Sequence, residues 1–302
     1  MMHKTNFSTT KRTGMTMPMR ARMKLAFISI FAMFSVVTAW AQFPDPYLTD
    51  ENRPDGTKWL PDPPSMVSGE FANDFYFYQW GKTQREGITG EQALWDESAE
   101  LYQVFSDAMG ITLSYSDTPE ILLLAEASTS DAYAANKKAK NYYQRQRPFA
   151  KFNEPSLKPE EDEAEALEYS YPSGHSSRGW MFALVLSTVA PEKTEILMER
   201  GRQYAINRVI CGHHWKSDID ASLMLIAGIF ANVVVTEAYQ QQLVKARAEY
   251  KSIIDGATGV TNSVRTTTSR ETAVYDLQGR RLTGKPANDR IYITDGKKVI
   301  NH

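Results

Sequence analysis

The chain has 302 residues, with 34 Lys and Arg against 36 Asp and Glu, and a single cysteine. That length and an apolar fraction of 42% suffice for a self-sufficient core, and a lone cysteine excludes an intramolecular disulfide. Setting aside the six basic residues of the first 41 leaves 28 cations against 36 acids, so the net charge moves from −2 to −8, which argues against nucleic acid as a bulk partner.

Residues 1–41 carry Lys4, Lys11, Arg12, Arg20, Arg22 and Lys24 and no acid, then an apolar run over 25–37 and the small-x-small sequence Ala39-Trp40-Ala41. The pattern predicts a signal peptide cleaved before Gln42, with Met23 as an alternative start. An uncleaved anchor is the competing reading, although the run is short for a bilayer. Either reading sends the chain out of the cytoplasm, to the periplasm, the medium or the cell surface, with no stable span once the signal is removed.

Residues 42–67 hold six prolines and no periodicity, which fits an arm lying along the body or a flexible leader. Over 68–254 the pattern is helical, and the expected catalytic unit is an all-α bundle. Leu94, Leu101, Tyr102, Phe105 and Met109 predict one amphipathic helix stopping at Gly110. Thr118-Pro119-Glu120 opens a second, running toward Lys140 with an interruption expected near Ser128 to Ser130. Residues 180–189 are apolar on every side, as in a helix at the centre of a bundle, and Pro191 ends them. Further helices are expected from Glu192 to Arg208 and from Ser217 or Asp218 toward Tyr250. Cys211 falls in an apolar stretch and is expected to pack in the core rather than react. A Thr, Ser and Gly linker over 255–270 leads to a small β tail at 271–302, with Asp295-Gly296 as a hairpin turn.

Three groups of residues stand out chemically. Lys140 and Arg147 are seven apart, so a shared helix would put both on one face, with Arg147 at its end ahead of Pro148. Pro172-Ser173-Gly174-His175 precedes the buried helix, whose first amides can face an anion while Ser173 or Ser176 caps it. Gly174 permits close backbone approach. Arg208 lies near a helix end, and His214 and Asp218 are four apart, with Ser217 between them as a potential cap. A carboxylate there fixes one imidazole nitrogen and leaves the other free to attack. Asp220 is a second acid nearby, and the spacing favours Asp218. Three cations, two histidines and one carboxylate suit a phosphate ester cut without metal. His213, His214, Asp218 and Asp220 superficially suggest a metal set, but adjacent histidines diverge and no further ligand has zinc spacing, so neither a metal nor another cofactor is expected. The acids Glu160, Glu161, Asp162, Glu163 and Glu165 are expected to form a solvated loop, with a lid as the alternative.

Taken together, Lys140-x6-Arg147-Pro148, Pro172-Ser173-Gly174-His175 and Arg208-x5-His214-x3-Asp218 resemble the three-part signature of the type 2 phosphatidic acid phosphatase and vanadium haloperoxidase superfamily. Within it the chain is most similar to the bacterial class A nonspecific acid phosphatases, over roughly residues 60–250, including Arg208-Val209-Ile210-Cys211-Gly212, His214-Trp215 and Gln240-Gln241-Gln242-Leu243. The resemblance implies a metal-independent phosphatase for small phosphate monoesters. His214 would be the nucleophile, oriented by Asp218, and His175 the general acid and base. Lys140, Arg147, Ser173, Gly174 and Arg208 would bind phosphate, and vanadate would inhibit. A homo-oligomer would be in keeping with the family. A vanadium haloperoxidase, a lipid phosphatase and a non-catalytic phosphate-binding surface protein are the alternatives. Asn207 stands where the family usually has serine, and His213 where it has an apolar or aromatic residue. The tail from Val274 to Ile300 resembles the C-terminal sorting modules of type IX secretion substrates, which would make the secretion machinery a partner.

Overall fold

A computed structural model of the chain describes residues 44–263, 274–275, 291–294 and 297–300. The predicted signal peptide, residues 264–270 of the predicted linker and most of the predicted tail lie outside these residues, whereas residues 255–263, expected as linker, continue the last helix. Contacts divide the chain into two units, residues 1–250 and 251–302.

Among its described residues, the regular structure of the first unit is all helical. Its elements are α1 (Gly69–Thr83), α2 (Gly87–Ser98), α3 (Leu101–Met109), α4 (Pro119–Tyr143), α5 (Pro148–Phe152), α6 (Asp162–Glu165), α7 (Gly174–Val189), α8 (Thr194–Cys211), α9 (Lys216–Val233) and α10 (Glu237–Ser263), which continues into the second unit. The helix that contains the apolar run 180–189 takes the centre: α7 packs against α8, α4 and α9. Met181, Phe182, Ala183, Val185 and Leu186 along it are completely buried. Each large side chain so buried contributes roughly 1.5–3 kcal/mol relative to exposure. Cys211 is buried at the end of α8 beside Ala93 and Ile210.

The proline-rich arm lies on the body. Asp131 on α4 accepts the amides of Tyr47 and Leu48 at 2.8 and 3.1 Å, Ser130 donates to the Pro44 carbonyl at 2.9 Å, and Tyr143 and Tyr171 donate to the carbonyls of Leu60 and Pro61. Satisfying its backbone groups on side chains of the body lets a segment whose regular structure is one 3-10 turn, Gly56–Lys58, remain ordered.

Four expectations about helices need correction. The helix drawn through Leu94 and Met109 is two, because Ala99 and Glu100 are extended and Glu100 with Gln103 forms a capping box that starts α3; Gly110 does end it, in the left-handed region. The expected interruption near Ser128 to Ser130 is absent, because the hydroxyls of Ser128 and Thr129 bond back to the carbonyls four residues earlier and leave the helix intact. The final helix breaks at residues 234–236 with a bend of 93°. There Thr236 accepts the Tyr239 amide as a new cap, and Gln240 donates to the orphan Val234 carbonyl. Ser217 caps nothing, since α9 starts from Trp215, whose amide is held by Asp218 Oδ2. Among the described residues, no single helix is long and apolar enough to cross a membrane.

In the second unit, β1 (Val274–Tyr275), β2 (Ile291–Thr294) and β3 (Lys297–Ile300) form an antiparallel sheet in that order, and Thr294 pairs with Lys297.

Candidate active site

The site gathers where α4, α7 and α8 end or begin. Lys140 sits in the last turn of α4, whose chain leaves the helix through Gln144 at φ 50. Arg147 is therefore not on the helix of Lys140, as the spacing predicts, but extended at the cap of α5, with Pro148 opening the new helix. It reaches the same cleft by a different route. The Lys140 ammonium donates to the Tyr169 carbonyl, and Arg147 donates to the carbonyls of Glu168 and His213, each at 3.2 Å.

The second motif opens α7. Ser173 caps it by accepting the Ser176 amide at 3.2 Å, and its own amide donates to the Asp218 carbonyl. Asn136 holds the preceding turn by donating to the Pro172 carbonyl at 3.1 Å. A Cβ at Gly174 would stand 3.1 Å from Asn136 Oδ1 and 3.7 Å from Lys140 Cε, so the absent side chain keeps Lys140 and the backbone close.

The third motif depends on the end of α8. Gly212, at φ 85, turns the chain so that the amides of His213 and His214 both fall on the Arg208 carbonyl. This places His214 above the cleft with Nδ1 3.3 Å from Asp218 Oδ2 and Nε2 3.0 Å from Arg147 Nη1. A guanidinium only donates, so Nε2 is the unprotonated nitrogen and Nδ1 carries the hydrogen toward Asp218.

A cleft of about 470 Å³ is lined by Lys140, Arg147, Gly174, His175, Arg208 and His214, with Glu97, Glu165 and Tyr133 at its walls. Every sequence-predicted site residue thus lines the cleft except Ser173, buried beneath as a cap, and Asp218, buried behind His214. Burial, then the charges of Arg147, Arg208 and Lys140, hold the His214 pKa well below 6.5. Burial lowers His175 to about 4, Lys140 to about 8 and Arg208 to about 10. Burial raises Asp218, and the Arg145 guanidinium opposes that rise.

Several supporting residues escape the sequence reading. Arg145 donates to Asp218 Oδ1, Asp74 Oδ2 and the Ser217 hydroxyl, and the Ser170 hydroxyl donates to Asp218 Oδ2. Arg145 stands two residues before Arg147, so its motif neighbourhood was a signal; Asp74, 71 residues away in sequence from Arg145, had none. The acidic loop is also more than a solvated face: Glu165 pairs with Arg147 Nη2 at 2.7 Å. Glu97 on α2 pairs with Arg208. His213 is buried against the Phe149 ring, with Glu97 and Asp162 3.6 and 3.8 Å from its two nitrogens.

The family profile for the PAP2 superfamily matches residues 121–242. Similar proteins include the non-specific acid phosphatase of Providencia stuartii, 36% identical over 211 residues that cover 68% of this chain and 85% of that one. The non-specific acid phosphatase of Salmonella typhimurium is 34% identical over 213 residues, covering 69% and 85%. That of Salmonella typhi is 33% identical over 235 residues, covering 76% and 93%.

Proposed function

Because the chain belongs to the nonspecific acid phosphatases of the PAP2 superfamily, we propose that it hydrolyses phosphate monoesters outside the cytoplasm, through a phosphohistidine at His214 and without a metal ion. The observation that carries this reading is the neutral Nε2 of His214 standing 3.0 Å from the Arg147 guanidinium, inside a cleft that also holds Lys140, Arg208 and His175.

Lys140, Arg147 and Arg208, with the Gly174 amide, hold the non-bridging oxygens and offset charge that builds in the transition state, while Ser173 supports them from beneath as the cap of α7. Nε2 of His214 forms a bond to phosphorus as the ester P–O bond breaks, and His175 gives its proton to the departing alkoxide. Asp218 stabilises the positive charge that then resides on the His214 ring. In the second half, His175 takes a proton from water, whose oxygen attacks phosphorus. The P–N bond breaks, phosphate leaves and His214 returns to its neutral form. Three cations around the phosphate supply the neutralisation a divalent ion would otherwise provide, and they repel such an ion.

Export rests on the basic, then apolar, then small-residue pattern of residues 1–41, and a role of the tail in sorting rests on its resemblance to type IX modules. Phosphate release from p-nitrophenyl phosphate in the presence of a chelator tests the chemistry. Full turnover with chelator and none in His214→Ala supports it, whereas chelator-sensitive turnover contradicts it.

A further inference from the structure

His175 is held by a residue that no signature motif contains. Its Nε2 lies 3.0 Å from the backbone carbonyl of Asp96, and its ring stacks on Tyr204 with centroids 4.5 Å apart and planes at 13°. A carbonyl can only accept, so Nε2 carries a hydrogen, and Nδ1 is the nitrogen left for a substrate. That carbonyl is one of the last four of α2, which have no partner within the helix and sit at the negative end of its dipole, where an imidazolium is favoured.

The position of the carbonyl is set in turn by the Asp96 side chain, which is 2% exposed. Arg200 donates to both of its oxygens at 2.9 and 2.5 Å, Asn207 Nδ2 donates to Oδ2 at 2.7 Å, and Gln92 Nε2 to Oδ1 at 2.9 Å. Arg200 and Asn207 both come from α8, the helix that delivers Arg208. We infer that Asp96 and Asn207 are positioning residues that fix the end of α2 to α8 and so aim His175 at the leaving-group oxygen. Asn207 is then no sign of lost turnover. A serine in its place would be too short to reach the carboxylate at the same distance.

The inference rests on the reading of His175 as the general acid, and leaving-group dependence separates the two. In kcat/KM, which covers steps only up to release of the alcohol, a nitrophenolate departs with little protonation while an alkoxide needs a proton. For Asn207→Ala we expect kcat/KM to fall about tenfold with glycerol phosphate and less than about threefold with p-nitrophenyl phosphate, a fraction of what a whole general acid contributes. Inhibition by inorganic phosphate should stay unchanged, because the three cations are untouched. Asp96→Asn should show the same selectivity. It should also move the alkaline limb of glycerol phosphate hydrolysis to lower pH, because the Asp96 charge favours protonated His175. The other charged or titratable groups around His175 are Arg178 on its own helix, Glu97 on α2, Tyr204 and Arg208 on α8, His213 and His214 beyond it, and Lys140 and Arg147 across the cleft. Neither substitution removes them. His175→Ala is the reference, with the larger selective loss. Equal losses on both esters in Asn207→Ala and Asp96→Asn, beside a selective loss in His175→Ala, overturn the positioning role alone. An unselective His175→Ala overturns the general acid and the positioning role together.

Discussion

The Arg145 guanidinium lies 2.6 Å from Asp218 Oδ1, while the other oxygen of that carboxylate faces His214 Nδ1 at 3.3 Å. Asp218 is wholly buried and would be driven toward its neutral form without a cation behind it. Arg145 also neutralises buried Asp74 at 2.7 Å and lies over the Trp215 ring. Removing it leaves two buried carboxylates unpaired. Arg145→Met should lower stability by about 3–5 kcal/mol and abolish most turnover. Arg145→Met with Asp74→Leu should recover part of the melting temperature and none of the activity. Chemical denaturation and assay of the pair check this.

Buried His213 and His214 and half-buried His175 set a pH dependence of stability. His175 and His213 are held at about 4 and about 3, and His214 well below 6.5, chiefly by burial. Groups with lowered folded-state pKa bind fewer protons folded than unfolded, so stability falls as pH drops from 6.5 toward 4 and the dependence flattens below the folded values. Inorganic phosphate should oppose the loss by favouring the protonated rings. His213→Phe, which keeps the contact with Phe149, should make the slope shallower. Melting temperature against pH measures each effect.

Lys140 carries its charge below a pKa of about 8, so the cradle weakens as pH rises through that value. With p-nitrophenyl phosphate, whose leaving group needs little protonation, kcat/KM should fall on the alkaline side near there, and Lys140→Arg should move that limb upward. Orthovanadate, which takes up the trigonal bipyramid of the transition state, should inhibit competitively in the wild type. Arg208→Ala should weaken that inhibition and lower kcat by about 100-fold or more.

Glu165 occupies the Arg147 guanidinium at 2.7 Å and must yield to a phosphate oxygen. It is partly exposed, so the pair is worth at most about 1 kcal/mol. Glu165→Gln should accordingly lower KM for p-nitrophenyl phosphate by up to about fivefold, with kcat little changed. A raised KM would mean that Glu165 supports the arginine rather than competing for it.

The sequence reading succeeds where chemistry is written into local spacing. His214 and Asp218 are four apart and meet, Gly212 and Gly110 end helices, and the unbroken apolar run becomes central α7. It fails where distant elements decide. Lys140 and Arg147 reach one cleft through a left-handed break at Gln144 that spacing does not reveal. Serine-rich pattern suggests an interruption in α4, but back-bonding hydroxyls are compatible with a continuous helix. Asp74, Asp96 and Glu97 come from helices with no motif, and only packing brings their carboxylates to Arg145, Arg200 and Arg208.

The central claim is a covalent bond between His214 and phosphorus, and direct trapping tests it. Enzyme mixed with p-nitrophenyl phosphate should be quenched in alkali within one turnover and its peptides mapped by mass spectrometry. We expect one added phosphoryl group on the peptide containing His214, stable in alkali, lost in acid and absent from His214→Ala. A phosphoryl group on any other residue, or a His214→Ala variant that still turns over, would contradict it.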